Sequence, residues 1–121
     1  MTEWTEAWRI FEATEGCGPK TLFHGYHGSR ELKLDTPLRS KQGIVTNPGK
    51  KVRGKTFRAG WHVTLDFNDA VRYFERFSNS RNLVLCRVFV KHFRPKPRSP
   101  HPVFLAKDML VKSEDWKVAN Q

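Results

Sequence analysis

The stretch from Arg58 to Phe77, RAGWHVTLDFNDAVRYFERF, constrains the fold more than any other part of the chain. Trp61 to Leu65 combines aromatic and β-branched residues, the composition of a strand. Asp66 follows where a helix N-cap belongs, with Asp69 three residues on, close to a capping-box pattern. Phe67, Ala70, Val71, Phe74 and Phe77 then recur on one helical face, with Asn68, Arg72, Glu75 and Arg76 opposite. The sequence therefore predicts a strand that turns directly into a packed helix. Such a helix needs a sheet beneath it, and the remaining elements must supply that sheet.

Leu83 to Val90, LVLCRVFV, is the clearest candidate, because its nearly continuous apolar character marks a central strand. Val103 to Ala106 reads as another strand, Lys107-Asp108 as a turn and Met109 to Val111 as a short strand. Ser113 to Trp116 reads as one capped helical turn. At the other end, Trp4, Ala7, Trp8 and Phe11 share a helical face, so residues 1–18 read as an amphipathic helix capped by Thr2 and ended by Gly16 and Gly18-Pro19. Thr21 to Gly25 reads as a strand. Ser29 could cap a short helix through Leu34, stopped by Pro37. Asn47-Pro48-Gly49 is a turn signal, so Gly43-Ile44-Val45 and Lys51 to Phe57 read as the arms of a loose hairpin. Lys91 to Pro102 has four prolines and reads as an extended crossing loop. The sum is an α+β domain, residues 1–121, with a small, mostly antiparallel sheet and flanking helices.

Charge narrows the function. The net charge is +10 over 121 residues, and it is unevenly placed. Residues 39–58 hold seven Lys or Arg and no acid, and no acid lies between Arg76 and Lys107. Glu3, Glu6, Glu12 and Glu15, by contrast, hold a third of the chain's twelve acids. This pattern favours a polyanionic partner: RNA, DNA or a very acidic protein. Against that stands an inert, solvated basic surface, the ordinary fate of a charge run. No run approaches the roughly 20 apolar residues a membrane span needs. The N-terminal residues lack the basic start and apolar core of a signal peptide, so a cytoplasmic protein is expected. Cys17 and Cys86 have no metal or redox spacing and are expected to be reduced thiols.

Motifs exclude more than they assign. His24 and His27 are three apart, while His62, His92 and His101 are scattered, and no finger spacing or HExxH is present, so no metal is expected. There is no GxxxxGK[ST], no strand-linked GxGxxG and no GxSxG. What remains is an ordered series: Phe23-His24-Gly25, the strand Val63-Thr64-Leu65 with its capped helix, Leu83 to Val90, Pro102-Val103-Phe104-Leu105 and Met109-Leu110-Val111. That order, over roughly residues 21–112, resembles the ADP-ribosyltransferase superfamily, and most closely the NAD-dependent RNA 2′-phosphotransferases.

The resemblance implies NAD as a substrate. His24 would hold the nicotinamide ribose, and the Gly25 backbone would meet the carboxamide at close approach. Tyr26 or Tyr73 would stack on the nicotinamide. His62 and Thr64 would border the cleft with His24 as catalytic candidates, Thr64 falling where the phosphotransferases have histidine. The glutamate that many members carry before a late strand has no counterpart here, which turns the expectation from protein modification toward an RNA phosphate. Lys50, Lys51, Arg53, Lys55, Arg58, Arg94, Lys96 and Arg98 would neutralise nucleic-acid phosphates. Two readings stand beside this one. The first is a non-catalytic nucleic-acid-binding module on the same scaffold, and the second a small protein that docks on an acidic host partner.

Overall fold

The computed structural model describes residues 3–21, 31–40, 60–77 and 82–120, and the backbone of 44–46 and 56–58. The described chain is α+β. Its strands are β1 (Thr5–Glu12), β2 (Leu38–Arg39), β3 (Ile44–Thr46), β4 (Thr56–Arg58), β5 (Trp61–Val63), β6 (Leu83–Pro95) and β7 (Phe104–Leu110), and its helices are α1 (Phe67–Glu75) and α2 (Ser113–Ala119). The main sheet runs β1-β6-β7-β2, with β5 also on β7, and these pairings are antiparallel.

The sheet closes on itself. β1 lies along β6 on one edge, from Thr5↔Val90 to Glu12↔Leu83. On the other edge Trp8 and Thr64 exchange both backbone hydrogen bonds, N to O at 2.8 and 2.9 Å. Since Thr64 directly follows β5, and β5 pairs β7, the path β1-β6-β7-β5 returns to β1. Closure leaves fewer open backbone groups at the sheet's edges. Gly60 permits the approach of β5, because a Cβ there would lie 2.9 Å from the Leu105 Cβ and 3.3 Å from the Ala106 carbonyl oxygen.

The central unit forms as the sequence predicts. Trp61 and Val63 are buried, and Asp66 is the N-cap, its carboxylate accepting from the Asp69 backbone N–H at 3.0 Å. The α1 face rests on β1 and β6, with Ala70 buried and Phe67 edge-on to the Trp8 ring. β3 and β4 pair antiparallel, Ile44↔Arg58 to Thr46↔Thr56, as the hairpin reading requires. The core joins Ala7, Phe11, Leu32, Trp61, Val63, Cys86, Val88, Val90, Ala106, Met109, Val111 and Trp116. Cys17 and Cys86 are free thiols; burial, then the Asp115 charge, pushes Cys86 up to about 12, which makes it inert.

Five local expectations are corrected. The N-terminal helix is a strand: Trp4, Ala7, Trp8 and Phe11 fit a helical face, but Thr5, Trp8, Ile10 and Phe11 are strand formers, and an apolar partner accepts all eight residues. The crossing loop begins later than Lys91, since β6 runs on to Pro95 and residues 91–95 pair with 104–108. Lys107-Asp108 is not a turn but the middle of β7, where its charges point to solvent or to partners. α2 starts without a side-chain cap of its own; the Ser113 N–H donates to Asp35 Oδ1 at 3.0 Å, a carboxylate brought from a distant loop. Residues 31–34 are not helical, and the rest of that expected helix, like the strand through Gly25 beyond Thr21, lies outside the described residues. Among the described residues no helix is long and apolar enough to cross a membrane.

Candidate functional site

β5 carries its functional candidate by simple alternation. Trp61 and Val63 face the core, so His62 faces the other way. It pairs across the sheet with Leu105, which pairs in turn with Arg94 on β6. Burial, followed by the charges of Lys96 and Arg9, pulls His62 down to about 3, against a weaker hydrogen bond with the Gly60 backbone. The imidazole is therefore neutral at neutral and mildly acidic pH.

Arg9 is the residue that sequence reasoning misses. Read as a helix, the N-terminal segment gives Arg9 no special place. On a strand it falls between Ala7 and Phe11, on the apolar face. Its Nη1 donates to the His62 carbonyl at 2.9 Å, and its guanidinium lies 5.4 Å from the ring centroids of both Phe11 and Trp61. The two-residue alternation of the strand is the only sequence signal for it.

Lys96 is half-buried just past the end of β6, and burial lowers its pKa. Its backbone N–H donates to the Val103 carbonyl at 2.9 Å, which closes the turn that holds Arg98. Arg98 is exposed and left-handed, with φ 58°. Tyr73, on α1, lies against Phe77 and His101 with ring centroids 5.3 Å apart in each case. Burial raises its hydroxyl pKa, with Arg9 opposing. Thr64 is 3% exposed, and its backbone completes the sheet closure.

His62 lies within the field of Lys96 and Arg9, and Tyr73 within that of Arg9, whose guanidinium itself sits with Phe11 and Trp61 on the face opposite the imidazole. Arg94 lies in the cross-strand row of His62, and Arg98 in the adjoining turn. His24, Gly25, Tyr26, Lys50, Lys51, Arg53 and Lys55 lie outside the described residues, and Arg58 is described only as backbone in β4. Chemically, the described group offers a neutral imidazole in a basic environment, with Arg94 in its cross-strand row, which favours an anionic ligand. No family model, no curated protein and no solved structure matches the chain.

Proposed function

We propose that this protein binds nucleic acid, RNA first, along the basic β6–β7 hairpin and the sheet face beside His62. The observation that carries the reading is the run from Lys91 to Lys107. It holds Lys91, Arg94, Lys96, Arg98 and Lys107 and no acid, on two paired strands and the turn between them. Like charges held on one rigid hairpin act as a phosphate-tracking groove, and the net charge of +10 adds long-range attraction. Lys50, Lys51, Arg53 and Lys55, in the sequence between β3 and β4, add to the positive charge available to a nucleic acid. The test is a titration of labelled single-stranded and duplex RNA into the full chain. Saturable binding of either supports the reading; none at low salt refutes it.

A second reading has its own support. It rests on the motif order that resembles the NAD-dependent RNA 2′-phosphotransferases, whose strand, cap and helix would correspond to Trp61 to Glu75, with a neutral His62 in the strand. In that reading an ADP-ribosyltransferase-like fold turns over NAD against an RNA phosphate, His24 and Gly25 seating the dinucleotide. Calorimetry with NAD on wild type and His24→Ala separates the two. Saturable heat that disappears in the variant supports the transferase; none in wild type leaves the binding module.

A further inference from the structure

β6 and β7 keep one register from Phe89↔Leu110 to Pro95↔Phe104, yet the ladder passes over His92. His92 is left-handed, φ 54°, inside a strand. Histidine tolerates that region better than bulkier residues do, but it remains a strained choice that surrounding contacts must hold. In a regular strand Lys91, opposite Asp108, and His92 would point to opposite faces. Instead His92 Nδ1 lies 2.9 Å from Asp108 Oδ2. Arg39 Nε, from β2, donates to the other carboxylate oxygen at 3.0 Å. Asp108 is thus gripped on both oxygens with its side chain 14% exposed, while that of His92 is 52% exposed. Burial works against the Asp108 charge, but the hydrogen bonds of His92 and Arg39 outweigh it and hold its pKa low.

An ionised Asp108 can only accept, so Nδ1 carries the proton, and in the neutral imidazole the Nε2 lone pair lies on the far edge of the ring. A carboxylate fixing an imidazole in this tautomer is how a general base is oriented. Among the described residues Asp108 is the imidazole's hydrogen-bond partner, with no hydroxyl or thiol at hydrogen-bond distance. The nucleophile would therefore come from the substrate. Lys91 precedes His92, its ammonium 4.5 Å from the Trp4 ring centroid, and Lys107 stands opposite His92 in the register, so the strand pair around the imidazole is basic.

We propose that His92 is a general base that cleaves RNA by internal transesterification, with Asp108 and Arg39 as positioning residues; this rests on the RNA-binding reading above. His92 Nε2 takes the proton from a 2′-hydroxyl. The 2′ oxygen bonds to the adjacent phosphorus, and the bond from phosphorus to the 5′ oxygen breaks. The leaving 5′ oxygen takes a proton from water, and the imidazolium returns its proton to the resulting hydroxide. The products are a 2′,3′-cyclic phosphate and a 5′-hydroxyl.

The test uses the full chain with labelled single-stranded RNA and an otherwise identical strand carrying 2′-deoxyribose. His92→Asn is the chosen variant, because asparagine accepts the left-handed backbone but is no base. Cleavage that yields cyclic phosphate, spares the deoxy strand and falls roughly 10²- to 10⁴-fold in His92→Asn, with RNA binding kept, supports the proposal. Asp108→Asn is then expected to lower kcat with KM unchanged. Equal cleavage by wild type and His92→Asn overturns it, as does RNA that binds and stays intact. Failure to bind RNA overturns this proposal and the RNA-binding reading together.

Discussion

β5 shows two kinds of burial one residue apart. Trp61 and Val63 join an apolar cluster, where the Trp61 indole N–H is satisfied by the Leu38 carbonyl at 3.1 Å. His62 points the other way, and its burial is combined with the charges of Lys96 and Arg9. The first kind stabilises by removing hydrocarbon from water. The second keeps a histidine neutral beside cations, which costs stability that a plain apolar layer would not.

The largest expected effect breaks the apolar face. Phe11 is 0% exposed and edge-on to Trp116, so Phe11→Ala should cost about 3–5 kcal/mol in chemical denaturation. A loss under about 1 kcal/mol would mean that the closed sheet is not the stabilising core.

The next prediction sharpens the contrast through pH. His62 is held near 3 in the fold and titrates near 6.5 when unfolded. Between those values the unfolded chain binds the extra proton, so stability falls as pH falls from 6.5 toward 3. One proton sets a ceiling of about 1.4 kcal/mol per pH unit. His62→Gln should flatten the profile between roughly pH 6.5 and 4.5, above the range in which unfolded carboxylates titrate. An unchanged slope would show that His62 is not the neutral member of the cluster.

Arg87 tests a polar contact farther along the sheet, on the face opposite the buried Cys86 and Val88. It donates to Asp115 on α2 at 3.0 and 2.8 Å and to Glu6 on β1 at 3.1 Å. Arg87→Met should cost about 1–3 kcal/mol, because it strands the largely buried Asp115 carboxylate, and the double variant with Asp115→Leu should recover part of it. The smallest effect is Asp66→Ala, about 1 kcal/mol from loss of the α1 cap.

The same contrast explains what is legible in the sequence. Trp61 to Phe77 can be read because strand composition, cap and helical period agree there. Residues 4–11 cannot, since one set of apolar positions fits both a helix face and a strand, and only pairing with Leu83 to Val90 decides. The closure through Thr64 depends on a backbone exchange with Trp8, which leaves no mark on side-chain pattern. Asp108 reads as part of a turn because its partners, Arg39 and His92, lie 69 and 16 residues away. Of the site, His62, Lys96 and Tyr73 are legible in the sequence, whereas Arg9 needs the strand assignment first.

The central claim is tested most directly by the salt dependence of RNA binding, for wild type and for the triple variant Arg94→Gln, Lys96→Gln, Arg98→Gln. Each phosphate left without its cation lowers the slope of log K against log salt by about 0.7 for a single strand. Weaker binding at low salt and a slope shallower by up to about 2 are expected for the variant. An identical slope in the two proteins would contradict the claim and move any nucleic-acid contact away from this hairpin.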